Sequence, residues 1–177
     1  MSKYYLVQDA ELCIGCSSCE VSCKTSKGLG PGPALCRNLA RGPLDSQDLP
    51  HVRFVFMPCF HCEEPWCLKV CPSGAVTKRP SDGIVYIDST KCIGCQSCIA
   101  ACPWGACQWN PVTKKSVKCD YCKDRLDEGL KPACVTTCVT GCLEFGKGQK
   151  LPDFQLKSYA RALVEGGWRT PGVFKRP

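Results

Sequence analysis

The sequence predicts an α+β fold of two small units, each a pair of cysteine runs with short strands and helices around it, plus a C-terminal amphipathic helix and tail. Three observations carry this. Sixteen of the nineteen cysteines fall into four runs of four. A short β-favourable stretch leads into each of the first three runs, and another closes the fourth. Near the end, apolar residues recur at helical spacing from Leu156 onward.

The third run is the clearest. CIGCQSCIAAC places Cys92, Cys95 and Cys98 at every third position and Cys102 four residues later, with Pro103 directly behind. The fourth cysteine is expected near a helix start. This is the run of bacterial ferredoxins, in which three thiolates hold one [4Fe–4S] cube and the fourth serves the neighbouring cluster. Two residues between thiolates let the sulfurs converge while backbone N–H groups turn inward. A tetrahedral zinc site uses two pairs set far apart instead.

In chain order, Lys3–Gln8 reads as a strand feeding the first run, Cys13, Cys16, Cys19 and Cys23. CIGCSSCEVSC is identical to the third run at seven of eleven positions, so the chain contains an internal repeat. Lys24 stands where Pro is expected after the fourth cysteine. Residues 24–50, rich in Gly and Pro, read as an irregular loop, either partner-facing or a solvated connector. Cys36 within it reads as a spare buried thiol. His51–Met57 is a predicted strand before the second run, Cys59, Cys62, Cys67 and Cys71, whose middle spacing is widened by Glu63–Trp66. Gly83–Asp88 is the strand before the third run.

Beyond Cys102, Trp104 and Trp109 read either as cover that limits water near the clusters or as ordinary packing. The fourth run is Cys119, Cys122, Cys134 and Cys138, with a charged insertion between its second and third thiolates. Residues 142–146 read as a closing strand and turn. From Leu156, apolar residues at Tyr159, Ala160, Leu163 and Val164 give the helix, which Gly166 and Gly167 end. The tail after it lies across a partner or back on its own domain.

Runs two and three are adjacent and both end in Cys-Pro, so they form one ferredoxin-like unit, residues 51–110. Runs one and four form the other, residues 1–23 with 111–150, closed by the two ends coming together. Residues 151–177 are the helix and docking tail. Cys36, Cys107 and Cys142 remain without a role.

Composition removes other classes. A formal charge of +7 invites a nucleic-acid reading. Four oxidised cubes with their thiolates contribute about −8, so the basic excess offsets cluster charge. Lys and Arg are also scattered, without a basic block. No secretory or twin-arginine signal is visible and the cysteine count is odd, which argues against a disulfide framework and for a cytoplasmic protein. Export in complex with a signal-bearing partner stays open. No apolar run approaches the ~20 residues of a membrane span.

The order of runs, with CFHCEEPWCLKVCPSGA, CIGCQSCIAACPWGA and KCDYCKDRLDEGLKPACVTTCVTGCLEFG, resembles the four-cluster electron-transfer subunits. That family serves dimethyl sulfoxide, polysulfide and nitrite reductases and formate dehydrogenases, and includes ferredoxin-like partners of tungsten aldehyde oxidoreductases. The likeness spans Tyr4 to Gly146. It implies four [4Fe–4S] clusters: Cys13, Cys16, Cys19 and Cys138 on the first; Cys23, Cys119, Cys122 and Cys134 on the second; Cys59, Cys62, Cys67 and Cys102 on the third; Cys71, Cys92, Cys95 and Cys98 on the fourth. Some relatives lack a ligand in the third run, whereas all four cysteines are present here. The C-terminal membrane helix of formate dehydrogenase relatives is not expected in this chain. Val139 stands where the final run often has Pro.

The function expected is electron relay between a molybdenum- or tungsten-pterin catalytic subunit and another redox partner, with no catalytic residue in this chain. A cytoplasmic system of the tungsten aldehyde oxidoreductase type fits best, by resemblance. A flavin-containing subunit is a further candidate partner, and self-assembly through clusters near both ends is an option. With only His51 and His61, acid–base catalysis has few candidates. His61 reads as a hydrogen-bonding neighbour of a cluster or as a structural residue. The alternatives are a free-standing polyferredoxin and, from another class, a structural zinc protein.

Overall fold

The computed structural model describes residues 3–44 and 51–148, with Pro152, Asp153 and Leu156. Apart from Pro152, Asp153 and Leu156, the predicted C-terminal helix and tail, residues 151–177, lie outside the described residues. The described chain runs β1 (Tyr4–Gln8), α1 (Ser18–Ser26), β2 (Arg37–Leu44), β3 (His51–Met57), α2 (Trp66–Lys69), β4 (Val76–Lys78) and β5 (Val85–Ile87). It continues through α3 (Ser97–Ala100), β6 (Cys107–Asn110), β7 (Lys115–Lys118), α4 (Lys123–Asp127), α5 (Ala133–Thr136) and β8 (Leu143–Lys147).

The strands form four two-stranded antiparallel sheets: β1 with β8, β2 with β3, β4 with β5 and β6 with β7. The β1–β8 pair sets Tyr4 opposite Lys147 and Gln8 opposite Leu143, so the first and last strands meet. Tyr4 stacks on Phe145 at 5.0 Å between ring centroids, and Tyr121 meets the same ring edge-on at 5.2 Å. A lone ribbon is marginal in water, so each sheet depends on what packs against it.

Apolar burial falls into two clusters. One gathers Leu35, Phe56, Ile84, Tyr121, Val135, Leu143 and Phe145 with five cysteines, and the other Val76 and Val85 with Cys67, Cys98 and Cys107. Much of this core is thiol.

Two expectations are corrected. The segment 24–50 is not irregular throughout, because Arg37–Leu44 is strand β2. Its weak β-propensity is overridden by a strong partner: β3 needs its backbone groups paired, and HVRFVFM supplies the bulk. Glu20 on α1 accepts a hydrogen bond from the Asn38 N–H, which fixes β2 over the first helix. Gln8 does the same for β3, donating to the Phe54 carbonyl at 2.9 Å and accepting from the Phe56 N–H at 2.8 Å.

The second correction concerns the helices. The fourth cysteine of a run does not begin one. α1 and α3 start just before the third cysteine, and Cys102 follows α3. The residues ahead of these helices, Ser17 (φ 58°) and Gln96 (φ 63°), are left-handed and turn the loop into the helix earlier than the spacing alone suggested. The β6–β7 hairpin and strand β4 were not expected either. In the hairpin turn the Asn110 side-chain oxygen accepts from the Val112 and Thr113 N–H groups, an Asx turn.

Candidate metal centres

Backbone geometry repeats with the sequence. Gly15 (φ 70°) and Gly94 (φ 75°) occupy the third position of their runs, and left-handed Ser17 and Gln96 the fifth. His61 and Tyr121, each between two cysteines of its run, are left-handed as well. Right- and left-handed residues in succession turn consecutive N–H groups to one side, a concavity suited to anionic sulfur. At run two the His61 N–H donates to Cys59 Sγ at 3.5 Å.

Three cavities open among the loops, each lined by four run cysteines from two different runs. The first has Cys23 from run one with Cys119, Cys122 and Cys134 from run four. The second has Cys59, Cys62 and Cys67 from run two with Cys102 from run three. The third has Cys13, Cys16 and Cys19 from run one with Cys138 from run four. Cys71, Cys92, Cys95 and Cys98 line none of the three. Cys98 is on α3, Cys92 and Cys95 are in the loop before it, and Cys71 follows α2, which packs on α3. Among the described residues no three His, Cys, Asp or Glu side chains converge closely enough for one metal ion. Thiols spread around a largely apolar hollow fit a polynuclear cluster instead.

The thiols divide by environment. Burial pushes Cys19 up to about 11 and Cys134 to about 12, and raises Cys119 and Cys122 as well. Hydrogen bonds from Cys107 bring Cys67 down to about 7 and Cys98 to about 6. A hydrogen bond from Cys36 lowers Cys23, and one from Ser18 lowers Cys16. The buried thiols hold their protons until metal displaces them.

Several residues around the cavities were not found by reading the sequence. Lys118 is buried, and its ammonium donates to the Val85 carbonyl and, at 2.7 Å, to that of Cys119. Its charge favours the thiolate form at Cys67 and Cys119. Lys27 pairs with Asp120 at 2.8 Å on the wall of the first cavity. Asn38 reaches Cys13 Sγ with its amide at 3.7 Å. Apart from the Lys118 bond to its neighbour Cys119, each of these contacts joins distant segments, so the sequence carries no local signal for it.

His61 is 1% exposed, and its Nδ1 accepts the Val85 N–H at 2.9 Å. That fixes the proton on Nε2, which has no hydrogen-bond partner among the described residues. Burial first, then Lys118 and Lys3, holds the ring neutral, its pKa brought down to about 2. The structural role is therefore visible in the bond to Val85, on a residue that also lines the second cavity. The tryptophans divide as well. Trp104 lines the second cavity while half exposed, whereas Trp109 packs against Gly94 of the third run.

Comparison with known proteins follows the same pattern. The family described as 4Fe-4S dicluster domain matches residues 50–148. The thiosulfate reductase electron transfer subunit PhsB of Salmonella typhi is 40% identical over 148 residues, 82% of this chain and 77% of that one. The B subunit of the anaerobic dimethyl sulfoxide reductase of Escherichia coli (strain K12) is 41% identical over 152 residues, covering 82% and 74%. Protein NrfC of the same organism is 39% identical over 147 residues, covering 81% and 65%.

Proposed function

The chain belongs to the 4Fe–4S dicluster family, as an iron–sulfur electron-transfer subunit of an oxidoreductase and not its catalytic subunit, and from that premise we propose that its sixteen run cysteines hold four [4Fe–4S] clusters in two ferredoxin-like units. The observation that carries the proposal is the mixed lining of the three cavities. Each takes three cysteines from one run and one from another, the division expected when the odd thiolate of a run serves the neighbouring cube. The fourth set is Cys71, Cys92, Cys95 and Cys98, by the same rule.

Bound there, the cubes supply one-electron storage and transfer. The protein's part is to hold, insulate and bias. Thiolates fix position, and the αL loop residues aim backbone N–H groups at sulfur. Phe56, Pro58 and Tyr121 on the first cavity, and Pro65, Trp66 and Trp104 on the second, limit water. Lys118 and Lys27 offset accumulated negative charge.

The catalytic partner we propose is a molybdenum- or tungsten-pterin subunit, as the resemblance to reductase and formate dehydrogenase subunits implies. A cytoplasmic location belongs to the same proposal. The odd number of cysteines, nineteen, speaks against a disulfide framework and so for a reducing compartment. Among the described residues no helix is long and apolar enough to cross a membrane.

The test is anaerobic purification from the native source through a tag on this chain, with iron, molybdenum and tungsten measured together. About 16 iron per chain, as four cubes require, with either heavier metal in a co-purifying large subunit, is the expected result. The same iron without a large partner indicates a free polyferredoxin, and zinc in place of iron overturns the proposal. Flavin content and particle mass in the same preparation decide on a flavin subunit and on self-assembly.

A further inference from the structure

The three cysteines outside the runs are distributed one to a cavity. Cys36 lines the cavity of Cys23, Cys119, Cys122 and Cys134, and Cys107 that of Cys59, Cys62, Cys67 and Cys102. Cys142 lines the third, with Cys13, Cys16, Cys19 and Cys138. All three are buried, at 3%, 1% and 3% exposed. Solvent hardly reaches them, and none has an iron-binding role left for it once the sixteen run thiols are counted.

Each also makes the same kind of contact. Cys142 Sγ lies 3.4 Å from Cys138 Sγ. Cys36 packs in one buried cluster with Cys23, and Cys107 in the other with both Cys67 and Cys98. Other partners are nearby: the Cys36 thiol donates to the Cys19 carbonyl at 3.8 Å, and the Thr140 hydroxyl neighbours Cys142. A thiol carries one weak donor proton. Two anionic sulfurs side by side in an apolar hollow repel, whereas a neutral thiol beside a thiolate makes a charge-assisted hydrogen bond.

We propose that Cys36, Cys107 and Cys142 are S–H donors to cluster-bound thiolates, each favouring the reduced state of the cluster that its partner holds. The inference rests on the ligand assignment made under Proposed function. Reduction adds one electron to a cube and increases the negative charge on its thiolates, so a donor to sulfur stabilises the product more than the reactant. The proton stays on the donor and no covalent bond changes. Cys107 is singled out by position. Its partners belong to two different clusters, so its one proton is shared between them.

The experiment uses the full chain with its native partners, purified anaerobically, as Cys36→Ala, Cys107→Ala and Cys142→Ala and the matching serine variants. Iron content is measured with redox titrations followed by electron paramagnetic resonance. In the wild type, proton couplings are compared after assembly in H₂O and in D₂O. The expected result is full iron in every variant. At a fixed potential the reduced fraction of one cluster falls severalfold in Cys36→Ala and Cys142→Ala, and that of two clusters falls in Cys107→Ala. Serine, which keeps a donor, recovers part of each shift. Full iron with unmoved potentials, even with a lowered melting temperature, overturns the inference and leaves the ligand assignment standing. Loss of one cube's iron in an alanine variant makes that thiol a ligand and overturns both. Where an alanine variant does not fold, the serine variant decides: a changed exchangeable-proton coupling at that cluster, with the backbone N–H couplings kept, supports the inference, and an unchanged set overturns it.

Discussion

The His61 and Tyr121 rings lie 3.8 Å apart between centroids, tilted by 33°, and this contact joins the walls of two cavities. His61 sits beside Cys59 and Cys62, and Tyr121 beside Cys119, Cys122 and Cys134. Replacing the histidine removes the acceptor of the buried Val85 N–H as well as the ring. His61→Leu is expected to cost about 1–3 kcal/mol, the range for leaving a buried donor unpaired. Thermal unfolding of the cluster-loaded protein measures it, and Tyr121→Phe, which keeps the ring contact, is expected to cost less than His61→Leu.

Lys118 is the buried cation of the cluster region, hydrogen-bonded to two carbonyls. Lys118→Met keeps much of its volume and removes its charge. The clusters nearest Cys67 and Cys119 are expected to become harder to reduce, by on the order of tens of millivolts for a charge at this depth. Redox titration of the variant checks the sign. A shift to higher potential contradicts it.

The two CIGC loops answer differently to one added methyl group. A Cβ at Gly94 meets the Lys114 carbonyl oxygen at 2.6 Å, a backbone atom that cannot swing away. A Cβ at Gly15 meets only the Phe54 ring, a side chain able to rotate. Both positions also carry the strain of a left-handed conformation, about 1–2 kcal/mol. Gly94→Ala is therefore expected to lose iron and Gly15→Ala to retain more of it, which iron analysis of the two purified variants decides.

Removal of iron by a chelator under reducing conditions is expected to abolish most of the far-ultraviolet helical and sheet signal. The reason is composition of the interior. Cys67, Cys98 and Cys107 form most of the second buried cluster beside two valines, so little apolar packing remains without metal. Retention of the native spectrum by iron-free protein contradicts this.

What could be read in the sequence follows from how local each signal is. The cysteine runs and strands β1, β3, β5 and β8 are legible because run spacing and neighbouring β-branched residues encode them. Strand β2 was hidden, since RNLARGPL takes its conformation only from β3 across the sheet. The helix starts were misplaced because Ser17 and Gln96 adopt left-handed angles that their residue types do not announce. Lys118 and Cys107 looked ordinary in the chain. Their importance comes from partners in distant segments: Val85 for the first, Cys67 for the second. Only Cys142, four residues after Cys138, left a local hint.

The pairing of β1 with β8 sets an order on biosynthesis. A ribosome releases the thiols of Cys13, Cys16 and Cys19 first, yet Cys138, which completes their cavity, is made only after runs two and three. The cavity of Cys59, Cys62, Cys67 and Cys102 has all four of these thiols before any thiol of run four leaves the ribosome. The thiols of runs two and three are thus available for iron first, whereas those of run one must be guarded from oxidation until run four follows them.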